Sequence, residues 1–237
     1  DKNIELLKGS EMGKALSDAY KYATRIDPRL REVIIVPYDE SVKGAKGSAF
    51  ARGADRSESG KHEVHIRTGA IDNSLDLMQE TLDSVPGLRE MLAEKLLLDD
   101  PSELTPMQVH TFVMLHELGH ISEFMDHAED IDGLRERQDQ EKDALPLGKI
   151  RTSEIIDPTS KGGQHVRDNW QEISKRFGVS TIEELAKITN AAHRNMTSEK
   201  AADDFAAEVL NLEPAFFESL GKEDLSEIRN FYQDQAA

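Results

Sequence analysis

Thr105-Pro106-Met107-Gln108-Val109-His110-Thr111-Phe112-Val113-Met114-Leu115-His116-Glu117-Leu118-Gly119-His120 is the stretch on which the reading of this chain turns. Thr105 is a natural N-cap, Pro106 fits the first helical position, and Gln108 falls three residues after the cap; together they mark a helix start. The helix is expected to run to about Met125. Val113, Met114, Leu115, Leu118 and Ile121 make it apolar on the sides that would be buried. His116, Glu117 and His120 interrupt that apolar surface. Residues four apart on a helix are rotated by only about 40°, so the two imidazoles project from one face about one turn apart.

That spacing lets two ring nitrogens meet one zinc ion at about 2.0–2.1 Å. Glu117 is offset by about 100° from His116, too far round to share the site as an equal ligand. It can still reach a water on the metal and serve as general base, as the HExxH pattern requires. Gly119 weakens the helix by roughly 1 kcal/mol relative to Ala and lets a neighbouring backbone or a ligand approach closely.

Composition narrows the choice of a third ligand. The 237 residues contain no cysteine, which excludes disulfides, thiolate zinc sites, iron–sulfur clusters and a Cys nucleophile. A catalytic zinc keeps three protein ligands and one open position, so the third ligand must be His, Asp or Glu from another element. Lys and Arg number 29 against 46 Asp and Glu, a net charge of −17. Without a compensating basic patch, that acidity argues against nucleic acid or an anionic membrane as partner. No apolar run approaches the roughly 18–20 residues of a membrane span. The first residue is Asp1 rather than Met, which points to a trimmed N-terminus that could have carried a signal peptide. The compartment is open between cytoplasmic and secreted.

Upstream of the motif, residues 10–26 have helical spacing of Leu16, Tyr20, Ala23 and Ile26. Arg31–Pro37 carries the β-branched run Val33–Val36 and reads as a buried strand. A weak strand is expected near Ser48–Arg52. His62–Thr68 alternates, with His62, Val64 and Ile66 on one face and Glu63, His65 and Arg67 on the other, as in a strand near a sheet edge. Such an edge could accept an extended peptide by strand addition. Residues 74–83 and 87–98 read as helices separated at Pro86.

Downstream, residues 126–162 are charged and poorly periodic and read as a long loop or lid with one short helix near Gly133–Asp143. Asp130-x-Asp132-Gly133 hints at a calcium loop, but Ala128 would stand at its first position and the ligand set is broken. Val166, Trp170, Ile173 and Phe177 fall on one helical face closed by Gly178. A Thr181–Glu184 capping box opens a helix to about Ala192, and another runs from Thr197 to Leu210. Helices at Pro214–Leu220 and Glu223–Tyr232 complete the chain.

The Thr197 helix places Glu199 and Asp203 four residues apart. One of them could ligate the metal while the other accepts the ring N–H of a ligating His and fixes its tautomer. Ala202, Phe205, Ala206 and Val209 form its packing face, and the small residues would let it lie close against the His116–His120 helix. Asp204 and Glu208 are also four apart, and a shifted register would make Asp204 the ligand. Glu199 ranks first because the longer side chain reaches a metal more easily.

His116–His120 followed by Glu199-x-x-Ala202-Asp203-x-Phe205-Ala206 resembles the gluzincin group of zinc metallopeptidases, in which HExxH is followed on a later helix by ExxxD, often ExxADxFA. The chain is similar to the small minigluzincins, including the ImmA/IrrE-like peptidases, in having a short sheet before the motif helix. The likeness to lethal-factor-like toxin peptidases is weaker. The gluzincin resemblance implies one Zn2+ per chain held by His116, His120 and Glu199, with Glu117 as catalytic base and Asp203 as partner of a ligating His, His120 being the one expected.

The implied fold is α+β and mainly helical. A small N-terminal mixed or antiparallel sheet packs on the motif helix and on a second ligand-bearing helix, and the C-terminal part is helical. Residues 1–237 would form one peptidase domain, with 126–195 as a family-specific insertion.

The function expected from this reading is zinc-dependent hydrolysis of a peptide or protein substrate by a narrow-specificity endopeptidase. Zinc would lower the pKa of its water towards about 7, and Glu117 would take the proton. His193 and Arg194 are candidates to stabilise the oxyanion, ahead of His165 and Tyr232. The alternatives are a catalytically inactive zinc-binding interaction module, or an aminopeptidase whose acidic cleft holds a substrate amine. The acidic segment Asp126–Asp143 would bias such a cleft towards basic substrates. Oligomeric state is not legible in the sequence.

Overall fold

The computed structural model describes residues 2–3, 11–38, 49–67, 79, 82–83, 85–148 and 150–220. Among them the chain is α+β and mainly helical, with ten α-helices and one three-stranded mixed sheet. Helix α1 (Glu11–Ile26) precedes strands β1 (Ile34–Tyr38), β2 (Ala49–Arg52) and β3 (Glu63–Arg67). Then come α2 (Leu88–Lys95), the motif helix α3 (Pro106–Asp126) and α4 (Ile131–Asp143). Four shorter elements follow as α5 (Thr152–Ile156), α6 (Lys161–Asp168), α7 (Trp170–Phe177) and α8 (Ile182–Arg194). Helices α9 (Thr197–Leu212) and α10 (Pro214–Ser219) finish the described part.

The sheet order is β1-β3-β2, parallel between β1 and β3 and antiparallel between β3 and β2. Strand β3 is therefore central, which corrects the expectation of an edge position. Val64 and Ile66 enter the core as the alternation predicts. The opposite face looked solvent-exposed in sequence because it is polar, yet Glu63 is buried there. Its carboxylate accepts from Ser59 and pairs with His65, whose ring stacks on Phe50. Alternation reports two chemically different faces and does not locate a strand within its sheet.

The main core joins α1, the sheet, α2, α3 and α9 through Leu16, Tyr20, Ile35, Val64, Phe112, Leu115, Leu118 and Ala206, all at or near zero exposure. The N-terminus of α3 is built as its sequence predicts. The Gln108 amide donates to Thr105 Oγ1 at 3.1 Å, and Gln108 Oε1 accepts from the Thr105 amide at 2.9 Å. Gln108 Nε2 also donates to the Phe217 carbonyl, which ties the start of α3 to α10. Near its other end, Ser122 donates to Asp27, whose carboxylate also accepts from Arg29.

Residues 126–162 are not a long loop. They contain α4, α5 and the start of α6. Helix α4 buries only Leu134, so no apolar stripe announced it. Polar contacts to the rest of the molecule hold it instead: Arg135 pairs with Asp55, Gln138 donates to Ser198, and Glu141 accepts from Thr197. The expected single helix through Val166 and Phe177 breaks at Asn169, whose side chain donates back to the His165 carbonyl. Gly178, in the left-handed region, closes α7 as expected. Ile155, Val166, Ile173, Val179, Leu185 and Ala186 form a second, smaller core within α5–α8. The expected helix at Glu223–Tyr232, and all but three residues of the one at 74–83, lie outside the described residues.

Candidate metal centre

Helices α3 and α9 pack at the closest distance their backbones allow. A Cβ added at Gly119 would stand 2.8 Å from Ala202 Cα and 3.2 Å from Phe205 Cβ, too near for any side chain. Gly119 and Ala202 thus set the separation at which residues beside them or one turn away on each helix meet. His116, His120 and Glu199 are those residues, and one ligand atom from each lies within 4.8 Å of the others. His116 Nε2 is 3.4 Å from Glu199 Oε2, and His120 Nε2 is 3.6 Å from Glu199 Oε1. The group could hold a metal ion.

The tautomers of both imidazoles fit that role. Asp203 is fully buried, and its Oδ1 lies 2.8 Å from His116 Nδ1. Asp203 accepts the His116 Nδ1 proton, which leaves Nε2 as the atom turned towards Glu199 and, once its own proton is given up, available to a metal. The expectation was that Asp203 would serve His120; the structure pairs it with His116. Asp203 sits one turn beyond Glu199 and faces the earlier of the two imidazoles.

His120 is oriented by a relay that the sequence reading missed. Its Nδ1 lies 3.2 Å from Ser198 Oγ, whose own proton goes to Glu123. Gln138 Nε2 donates to the same Oγ at 2.9 Å. With the hydroxyl proton committed to a carboxylate, Ser198 can only accept from His120, so Nδ1 again holds the proton and Nε2 is free to ligate. The signal was available: Glu123 is three residues after His120 and therefore on its helix face, and Ser198 adjoins Glu199.

The charges in the group are strongly coupled. Burial alone would lower the His116 imidazole, but hydrogen bonds to Asp203 and Glu199 outweigh it and hold its pKa up at about 9. Burial and the neighbouring His116 charge push His120 down to about 4. Glu199 should be raised by burial, yet His116 and His120 hold it well below the usual carboxylate range. Arg194 Nη1 lies 3.4 Å from Glu199 and 3.2 Å from Asp203, and so bridges the two acids of α9. The cluster is built to share positive charge among fixed acceptors, as a cation site requires.

Glu117 lies beside the triad and opens on the same cleft. Burial raises its pKa and the Glu199 charge adds to this, while His116 and the Ala51 backbone amide oppose it. Strand β2 therefore reaches Glu117 through its backbone. The cleft has a volume of about 740 Å³ and is lined by His116, Glu117, His120 and Glu199, by Ala49–Ala51 of β2 and by His193 and Arg194 of α8.

His193 is half exposed, with one ring nitrogen 3.4 Å from Met196 Sδ and the other 3.9 Å from Glu199. Asp204, the alternative ligand, is 58% exposed and pairs with Lys95 at 2.8 Å, outside the group. His165 packs beside Asn169 and does not line the cleft, and Tyr232 lies outside the described residues.

The segment Asp126–Asp143 does not make the cleft acidic. Its carboxylates turn elsewhere, Asp126 to Arg29 and Asp130 to Arg137, and the lining charge it contributes is Lys142. Among the described residues no helix is long and apolar enough to cross a membrane. Comparisons of the chain with protein-family models, with curated proteins and with solved structures find no match in any of the three.

Proposed function

We propose that the chain is a zinc-dependent metallopeptidase of gluzincin type, with His116, His120 and Glu199 as ligands and Glu117 as catalytic base. The observation that carries this reading is the convergence of two Nε2 atoms and one carboxylate beside Glu117, in the lining of a cleft of about 740 Å³. Two imidazoles and a carboxylate suit zinc in its catalytic form, which leaves a position open. Zinc bound there supplies a Lewis acid that acidifies water and polarises a peptide carbonyl.

The chain's own residues do the rest. Glu117, raised by burial, holds a proton more readily than a solvated carboxylate and so can both accept it and return it to a leaving amine. Asp203 and the Ser198–Glu123 pair keep the two imidazoles in the tautomer that ligates. His193, at the cleft wall next to Glu199, is the candidate donor to the carbonyl oxygen.

Strand β2 stands last in the sheet order among the described residues, paired with β3. An extended peptide added to the sheet at β2 would run past Glu117. This role belongs to β2 and not to the central β3. Among the described residues the carboxylates lining the cleft are Glu117 and Glu199, and both already have roles at the metal and the base, which favours an endopeptidase over an aminopeptidase.

The test is cleavage of a broad peptide library by the zinc-loaded native chain and by Glu117→Gln. Cleavage by the native chain alone is expected, with zinc bound equally by both. Equal cleavage by the two would remove Glu117 from the mechanism, and zinc binding without cleavage by either would favour an inactive binding module.

A further inference from the structure

One part of the cleft wall is supplied by the end of α4 and the segment that follows it, through Lys142, Leu145, Ile150 and Arg151. This wall is anchored to the metal-ligand helix: Gln138 donates to Ser198, and Glu141 accepts from the Thr197 amide. The charge it presents is opposite to that of the molecule. The chain carries −17, yet among the described residues the lining carboxylates are Glu117 and Glu199 alone, while Lys142, Arg151 and Arg194 bring positive charge.

Arg194 is occupied by Glu199 and Asp203. Arg151 forms no ion pair among the described residues. Lys142 lies 3.9 Å from Asp139, an exposed neighbour on its own helix. Two cations without a firm partner therefore face the space a substrate must cross.

We propose that Lys142 and Arg151 select a peptide carrying an acidic side chain near the bond presented to Glu117. The proposal rests on the peptidase reading above and names its substrate class. The sign of the effect is decided by distance. Surface carboxylates more than a Debye length away, about 8 Å at physiological salt, are screened, whereas a contact inside the cleft is not. The −17 charge slows the approach of an acidic peptide without cancelling a short-range ion pair. Selection is thus positional: an acidic residue helps at one or two places along the peptide and nowhere else.

The experiment uses the full chain as Glu117→Gln, loaded with zinc, so that binding is read without turnover. The probes are pools of fluorescein-labelled decapeptides of mixed sequence with one central position fixed as Glu, Gln or Lys, and the readout is fluorescence anisotropy. At one or two positions the Glu pool is expected to bind about tenfold more tightly than the Lys pool, the factor one charge-assisted contact carries. Adding Lys142→Glu and Arg151→Glu should reverse that order, and the milder Arg151→Gln should narrow it if the double reversal fails to fold.

Equal binding of the pools at every position, no binding of any pool, tighter binding of Lys, or an order unchanged by the reversals would overturn the proposal. A charge order in binding with no cleavage by the native chain would sink the peptidase reading and leave the selection standing. Cleavage without any charge order would do the reverse.

Discussion

Two interiors of this molecule are built on opposite terms. Around the His116–His120–Glu199 group between α3 and α9 the buried side chains are polar and charged, and each of these three is held by a named partner: His116 by Asp203, His120 by Ser198, Glu199 by Arg194. Within α5–α8 the core is apolar, made by Ile155, Val166, Leu185 and Ala186. An apolar core can shift by a few tenths of an ångström and lose little. A buried charge whose partner moves away loses most of its compensation, so the first interior tolerates no slack. The Gly119–Ala202 contact supplies that rigidity.

The sharpest way to break the comparison is to push the helices apart. Gly119→Val should cost about 3 kcal/mol, because the added carbons meet Ala202 backbone and not a flexible side chain. Urea denaturation measures that cost, and zinc affinity should vanish with it. Gly163→Ala strikes the Asp157 and Glu154 carbonyls of the second interior. It should lower stability in the same assay and leave the zinc affinity of the folded chain unchanged.

Changes confined to the partners of the imidazoles come next. Asp203→Asn should weaken zinc binding by about 10–100-fold, and Ser198→Ala by about tenfold, read by competition with a chromophoric chelator. Of comparable size in stability is the anchor at the far end of α3. Asp27, bonded by Arg29 and Ser122 against a smaller effect of burial, has its pKa lowered to about 2. Because this lies below the unfolded value of 3.8, its contribution is present above that pH and is lost as pH falls through about 2. Native chain and Asp27→Asn should differ by about 2 kcal/mol at pH 7 and converge towards pH 2. The smallest effect belongs to the second interior: Ser160→Ala removes the cap on the Gly163 amide and should cost about 1 kcal/mol with no change in zinc affinity.

The two interiors also differ in how far they could be read in sequence. The site helix was legible because its cap, its apolar flanks and the four-residue spacing of its histidines are local facts about a helix. Glu199 was legible as a member of the group because the absence of cysteine restricts the third ligand of any metal there to His or carboxylate. The partner of His120 was not, since Ser198 acquires its role only through a hydroxyl proton committed to Glu123 across two helices. Helix α4 was legible as a short helix near Gly133–Asp143, but its place against the rest of the molecule was not, because hydrogen bonds and ion pairs hold it and these leave no periodic apolar trace. The sign of the cleft charge was misread for a related reason: composition counts carboxylates, while geometry turns those of Asp126–Asp143 away from the cleft.

The measurement that bears most directly on the account is zinc titration by calorimetry of a chelator-free, metal-stripped preparation of the native chain, Glu199→Ala and Asp204→Ala. One zinc per chain is expected for the native protein and for Asp204→Ala with similar affinity, and a large loss is expected for Glu199→Ala. A native chain that takes up no zinc, or a Glu199→Ala variant that binds it as tightly as the native chain, would contradict the assignment of the centre.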